Sequence, residues 1–408
     1  PIAMSLGLSA MGGILFLGGG STVTIAQRMF EGMNSFALLA IPLYTFAGFT
    51  MSKGGISKRL MDFCYSIVGH IYGGLAHVNV LSSMIFAGIS GSAVADTAGV
   101  SGMFMPEMIR KGYSKNFTVA VTAISSTIGI IIPPSIPMVV IAGICGISTG
   151  KLFLGGIIPG ILCGLAQMIV SYFLAKKEGV PKEPGHFTIG PVLHGLWESW
   201  PALLMPIIIV GTITMGIVSP TEAGVIAVVY GLFAGGIIYR ELKWEDIKFA
   251  FAETVRTSGR IFIVIGAAKL YTVMLTTAGF DKWVAKTMLG FSTNPTVILI
   301  MILLIFFIVT MFMESIATLT LFMPILYPIA LGVGINPIVL SVLITVVIGI
   351  GLVTPPVGMC IYVACDLMDT TVGEVFPTLV PFIAATFVCI ALMVAFPQLI
   401  LLPTYLMA

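Results

Sequence analysis

Apolar residues in this chain come in runs of roughly 20 rather than in stripes, which is the length a helix needs to cross a lipid bilayer. Crossing segments are predicted at 4–18, 34–52, 116–146, 152–174, 199–216, 222–239, 261–278, 336–366 and 377–402. Two more apolar stretches, 73–112 and 295–332, are too long for one crossing and are interrupted near their middles. Each reads as a re-entrant helical hairpin that enters and leaves on one side. Two segments that mix charge with apolar residues, 22–33 and 244–256, read as arm helices lying in the interface.

Composition agrees with that pattern. Hydrophobic residues make up 58% of the 408 and charged residues 9%, against about 25% charged in soluble domains. So little polar surface could not cover a soluble core of this size. No basic leader or small-residue cleavage site marks Pro1–Leu17 as a signal peptide. The net charge of +2 gives no reason to expect a nucleic-acid partner; the predicted partner surface is membrane lipid. The distribution of charge is more informative. With both hairpins returning to their own side, only Arg28, Lys151, Lys282 and Lys286 fall on one face. Lys269 lies inside a span, and the other fourteen of the 19 basic residues fall on the opposite face. By the positive-inside rule that richer face is cytoplasmic, which puts residue 1 inside and the C-terminus outside.

The two halves echo one another. Pro133-Pro134 and Pro355-Pro356 are 222 residues apart, and Phe104-Met105-Pro106 recurs as Phe322-Met323-Pro324 at 218. The same offset places Asp96 on Glu314; Glu31 matches Glu253, Gly55 matches Gly279 and Pro159 matches Pro381 at 222 to 224. An odd number of predicted crossings separates each pair, so the second copy is inverted. The expected fold is an all-α polytopic membrane protein of two inverted-topology repeats, each with a re-entrant hairpin and a broken helix. Residues 1–175 form the first repeat, 176–218 a cytoplasmic linker with a connecting helix, and 219–408 the second. Secondary transporters are often built this way, with the site near the midplane.

Helix breakers at membrane depth locate the expected chemistry, because each freed amide must find a partner or line a cavity. The first hairpin breaks at Ser90-Gly91-Ser92 and the following helix at Pro133-Pro134-Ser135. The second hairpin turns at Met313-Glu314-Ser315, and its partner helix breaks at Thr354-Pro355-Pro356-Val357-Gly358. Carbonyls and hydroxyls at half-helix ends suit Na⁺, and half-helix N-termini suit an anion. Two Na⁺ sites are expected: Ser90, Gly91, Ser92, Pro134 and Ser135 in the first repeat, and Met313, Ser315, Thr354 and Gly358 in the second. The substrate would lie between them, with Ser135, Asp96, Glu314 and Lys269 as candidate contacts. The alternative is a pair of kinks packed against neighbours. Lys269 could neutralise an anion or pair with a carboxylate; Asp96 and Glu314 could coordinate cations, relay protons or cap the hairpin tips.

Other chemistries lack their residues. Gly146–Leu152 departs from a phosphate-binding loop, so no ATPase engine is present. The four histidines make no H-E-x-x-H pattern, no G-x-S-x-G elbow occurs, and no Cys pair is spaced C-x-x-C. The chain is therefore not expected to be an enzyme, and its six cysteines read as small buried residues.

The segments Gly88–Thr97, Ile130–Ser135 and Gly216–Gly224 together give the chain a resemblance to the large membrane subunit of tripartite ATP-independent periplasmic (TRAP) transporters. The resemblance spans essentially the whole sequence. It implies a small membrane subunit, fused upstream or separate, and a periplasmic substrate-binding protein as partners in the bacterial inner membrane. It also implies Na⁺-coupled uptake of carboxylates such as C4-dicarboxylates or sialic acid, by an elevator-like motion of the hairpins and broken helices. Segments 4–52 and 199–278 would supply much of the scaffold. A stand-alone Na⁺- or H⁺-coupled anion symporter would share these features without needing a binding protein.

Overall fold

The computed structural model describes residues 2–16, 22–180 and 188–407. Among them the chain is helical throughout, without a strand. In chain order the helices are α1 (Ile2–Phe16), α2 (Thr22–Met33), α3 (Ala40–Lys53), α4 (Ile56–Val68), α5 (Gly74–Ser90) and α6 (Ala93–Arg110). Then come α7 (Lys115–Ser126), α8 (Ile136–Cys145), α9 (Thr149–Lys177), α10 (Ile189–Thr214), α11 (Pro220–Phe233) and α12 (Trp244–Thr277). The chain ends with α13 (Phe280–Phe291), α14 (Pro295–Thr310), α15 (Ser315–Gly332), α16 (Pro337–Gly351), α17 (Met359–Asp366) and α18 (Val372–Ala395), followed by short turns.

Most starts are set by local chemistry. Ser219 and Glu222 form a reciprocal capping box ahead of α11, with Pro220 at the first position, where its missing N–H costs nothing. Asn294-Pro295 and Asn336-Pro337 start α14 and α16 alike, the Asn side chain accepting a first-turn amide. Among the described residues, seven helical stretches are long and apolar enough to cross a membrane: Phe36–Lys53, Thr149–Lys177, Ile189–Thr214, Pro220–Ile238, Trp244–Thr277, Ser315–Gly332 and Val372–Ala395.

The two long apolar stretches are helix–turn–helix pairs, α5 with α6 and α14 with α15, whose members pack on each other. The predicted 116–146 and 336–366 are each two helices separated by an unwound stretch. The structure departs from the sequence reading in four places. The arm 244–256 and the span 261–278 are one continuous helix of 34 residues, because no proline intervenes and Gly259 has open space around it. Within the predicted linker and connecting helix 176–218, helix α10 begins at Ile189, ten residues before the predicted span 199–216, and residues 181–187 lie outside the described residues. Helix α18 stops at Ala395, just ahead of Pro397, rather than running to 402. Helices α4 and α13 went unassigned because each carries too many polar residues to read as a span.

Those two overlooked helices add to the echo between the halves. Gly55 precedes α4 and Gly279 precedes α13, both in the left-handed region at φ 77° and 75°. The other matched positions also fall on corresponding elements: Pro106 and Pro324 inside α6 and α15, Pro159 and Pro381 inside α9 and α18.

Packing groups α3, α11 and α12 side by side, with α1 and α2 along α12. Ala10, Ile14, Ile25 and Leu270 make a small apolar cluster there, separate from the main core. Tyr44 ties α3 to α11 by donating to the Pro220 carbonyl at 2.8 Å, and Tyr230 ties α11 to α10 through the Pro201 carbonyl at 2.6 Å. Around this frame sit α5 to α9 and α14 to α18; α3 and α10 meet α5, and α12 meets α15. Past the ends of α3 and α11, backbone touches backbone. A Cβ on Gly54 would stand 2.9 Å from the Gly235 Cα, with no flexible side chain to move aside.

Replacing Gly54 with Val is expected to destabilise the protein by about 1–3 kcal/mol through this overpacking. Gly211→Ala, in open space within α10, is expected to be neutral or to stabilise by up to about 1 kcal/mol from helix propensity. Thermal unfolding of the two purified variants in detergent checks both signs.

Candidate ion and substrate site

The tip of each hairpin is seated on the broken part of the next helix. In the first half α5 ends at Ser90, Gly91 turns the chain at φ 64°, and Ser92 caps α6 by accepting the Ala95 amide at 3.4 Å. The adjoining helix ends in a 3₁₀ turn at Ile130 and restarts at Ile136 under a Ser135 cap. The Ile136 N–H donates to the Gly91 carbonyl at 3.2 Å, latching tip to break. A Cβ on Gly91 would lie 2.5 Å from the Pro134 carbonyl oxygen, so only glycine permits both the turn and the approach. Ser135 donates to the Ile130 carbonyl at 2.5 Å and accepts the Met138 amide at 3.3 Å, which spans the break from both sides.

The second half repeats the arrangement. The Val357 N–H donates to the Met311 carbonyl at 2.9 Å, joining the tip between α14 and α15 to the break between α16 and α17. Thr354 returns its hydroxyl to the Ile350 carbonyl at 2.7 Å, and Gly358 starts α17 at φ 44° close to the Thr354 carbonyl. Both Pro-Pro bonds, 133–134 and 355–356, are cis.

A carboxylate stands at the N-terminus of the helix leaving each tip, and the two are treated differently. Glu314 caps α15, accepting the Ile316 amide at 2.9 Å, the Ala317 amide at 3.2 Å and the Ser315 hydroxyl at 2.9 Å. That is the capping role considered for it. Asp96 lies in the first turn of α6 with no solvent exposure. One of its oxygens takes a hydrogen bond from Ser90; the other faces the Cα of Gly129 and has no partner. No basic side chain pairs with either carboxylate among the described residues.

The structure thus brings together Ser90, Gly91, Ser92, Asp96, Pro134 and Ser135 at one tip. At the other it gathers Glu314, Ser315, Thr354 and Gly358, with Met313 in the turn. The two breaks are also neighbours. Gly349 of α16 rests on Thr127, where α7 gives way to its 3₁₀ turn, and Cys360 at the start of α17 reaches Thr97 and Ser126 beside Asp96. Lys269 packs its Cβ and Cγ against Gly32 of α2, and no carboxylate pairs with it among the described residues.

Sequence reasoning missed three participants. The six cysteines read from the sequence as small buried residues, and all six are free with five buried, but Cys360 also belongs to the polar cluster around Asp96. Gly48 of α3 stands against the Cα of Ser90, where a Cβ would come within 3.2 Å, and Pro206 of α10 covers Gly88. Nothing in their local sequence marks these contacts, which join positions 42 to 118 residues apart. Among the described residues no three His, Cys, Asp or Glu side chains converge as a metal centre. What the tips offer instead is backbone carbonyl, hydroxyl and carboxylate oxygen, a donor set suited to a hard monovalent cation.

The fold is that of a polytopic helical membrane protein. Two solved transporters share the fold: the Alcanivorax borkumensis YdaH transporter, with a TM-score of 0.62 over 91% of this chain and 86% of that one, and Neisseria gonorrhoeae MtrF, with 0.59 over 92% and 84%. Sequence identity is 13% in both cases, which speaks for fold alone. The family model of the DctM component of tripartite ATP-independent periplasmic transporters matches residues 1–399, and the chain belongs to that family. It is 35% identical to the sialic acid TRAP large permease SiaM of Vibrio cholerae, covering 98% of this chain and 94% of that protein. It is equally 35% identical, with the same coverages, to the C4-dicarboxylate large permease DctM of Pseudomonas aeruginosa. With the isethionate permease DctMQ of Oleidesulfovibrio alaskensis it shares 37% over 94% of this chain, but spans only 60% of that longer protein.

Removing the Glu314 side chain uncaps α15. Glu314→Ala is expected to lower stability by about 0.5–2 kcal/mol, and Glu314→Gln, which keeps an acceptor oxygen, by less. Equal losses in a thermal-shift assay would show that capping is not what Glu314 contributes.

Proposed function

We propose that this chain is the membrane subunit through which an organic-acid anion enters the bacterial cytoplasm together with Na⁺. The observation that carries the reading is the pairing of each hairpin tip with a helix break, one backbone hydrogen bond apiece, beside a carboxylate without a basic partner. A buried carboxylate without a basic partner stays ionised only beside another positive charge, which a bound cation supplies where no Lys or Arg does. Ser90, Gly91, Ser92, Pro134 and Ser135, with Asp96 behind them, hold the first ion. Met313, Ser315, Thr354 and Gly358, with Glu314 behind them, hold the second.

The substrate anion lies between the tips, facing the N-terminal ends of α6, α8, α15 and α17, whose helix dipoles favour negative charge. Lys269, packed on α2, is not needed for this and serves the frame. Relatives named for sialic acid, C4-dicarboxylates and isethionate support a small organic acid, carboxylate or sulfonate, as the cargo. Family membership supports a small membrane subunit and a periplasmic binding protein as partners, with the bacterial inner membrane as the location. The matched element series supports an inverted repeat, and the excess of basic residues on one predicted face supports residue 1 cytoplasmic and the C-terminus periplasmic. The hairpins and broken helices would then move as a body against α3, α11 and α12, carrying the site across.

Uptake into proteoliposomes containing this chain and its small partner subunit tests the proposal. Import of a labelled dicarboxylate, sialic acid or isethionate is expected only with both an inward Na⁺ gradient and the binding protein. Ser92→Ala and Thr354→Ala are each expected to raise the Na⁺ concentration for half-maximal uptake. Uptake indifferent to Na⁺ would remove the ion sites, and uptake with Na⁺ alone would make this a stand-alone symporter.

A further inference from the structure

A second polar feature runs inside the first half, away from the tips. On α7, Thr118, Thr122, Ser125 and Ser126 recur at helical spacing, none exposed to solvent. Asn79 of α5 donates to Thr122 at 2.7 Å, Ser125 donates to the Asn79 carbonyl oxygen at 3.0 Å, and Ser83 donates to Ser125 at 3.1 Å. Ser126 accepts from Thr97 of α6 at 2.6 Å, and Thr97 adjoins Asp96 at the first tip. From Thr118 to Ser126 the seam follows α7 for about 12 Å, at 1.5 Å per residue.

Hydrogen-bonded Ser, Thr and Asn commonly hold membrane helices together, and a seam serving only that purpose should be internally satisfied. This one is not. Thr118 Oγ1, Gln167 Oε1, Ser171 Oγ and Ser101 Oγ are all buried and all without a partner. Their places in the fold border the seam. Thr118 is one turn before Thr122, and Ser101 one turn beyond Thr97. Gln167 donates to the Ile124 carbonyl next to Ser125 at 3.3 Å, with Ser171 one turn further along α9. A buried polar atom left unpaired costs about 1–3 kcal/mol, which ordered water relieves when it finds two to four such partners.

We propose that this seam is a hydrated column through which water and the cation of the first tip exchange with the end of the bundle where α7 begins. The hydration stands on the unpaired atoms alone; the link to a cation rests on the ion reading of the first tip. The seam's position supports that link, because it ends on Asp96, whose second oxygen is itself unpartnered.

Thiol labelling separates a wet seam from a dry one. In full-length chain with its six native cysteines replaced, Thr118→Cys and Thr122→Cys are exposed in membranes to a small cationic methanethiosulfonate. Val121→Cys, on the same helix and equally buried, is the control. The seam cysteines are expected to react at least about tenfold faster, since each unit by which dry burial raises a thiol pKa removes a factor of ten in thiolate. Na⁺, but not K⁺, should slow them. Rates equal to Val121→Cys would overturn the column; fast labelling indifferent to Na⁺ would overturn its link to the cation while leaving the hydration. The unsubstituted chain offers a second reading if a variant does not fold. The Met108 sulfur lies 3.9 Å from the Asn79 amide, so hydroxyl radicals formed from bound water should oxidise Met108 well before the equally buried Met51. Equal oxidation of the two would count against a wet seam.

Discussion

A peptide group that leaves the helical ladder inside an apolar medium can find a hydrogen-bond partner only within the protein, and each one left without costs several kcal/mol. This chain leaves the ladder four times at such positions: at Gly91-Ser92, between Ile131 and Ser135, between Met311 and Glu314, and between Leu352 and Gly358. The four interruptions are placed so that they meet in pairs. Gly91 offers its carbonyl to Ile136, and Met311 offers its carbonyl to Val357. The rest of the architecture follows from this requirement, because a hairpin tip can reach a helix break only if the arms bring both to the same depth. The glycine at the first tip and the caps Ser92, Ser135 and Glu314 are the local terms of the same requirement.

The two tips are alike in backbone and unlike in charge. Glu314 uses its oxygens on two amides and a hydroxyl, while Asp96 leaves one oxygen unused. The unsatisfied electrostatics of the site therefore concentrate at the first tip, and so do the polar groups around it. Thr97, Ser126 and Cys360 gather beside Asp96, and Cys360 comes from the second half, so the two halves meet at the first tip.

Much of this was legible in the residues. Proline pairs marked two of the four interruptions and Ser90-Gly91-Ser92 a third, each acting through its own backbone, while the fourth showed only as Glu314-Ser315 within an apolar run. The offset near 220 residues pointed to matching elements, down to Gly55 and Gly279 in the same left-handed conformation. Failures came where local polarity or length misled. Helices α4 and α13 are too polar to resemble a span, and α12 runs unbroken through a change from charged to apolar because nothing along it breaks a helix. Lys269 drew attention as an intramembrane charge, and the fold packs the base of its side chain on Gly32.

Taken alone, the chain's pattern of apolar runs, breakers and caps determined the class of protein and the places where helices end, because hydrophobic length and backbone chemistry are properties of short segments. Which carboxylate is satisfied and which is not, which glycine admits a neighbouring backbone, and which hydroxyls line up into a seam were decided only by tertiary structure. Asn79 and Thr122 are 43 residues apart, and Cys360 and Asp96 are 264 apart. Their encounter depends on how helices stack, which no local propensity encodes.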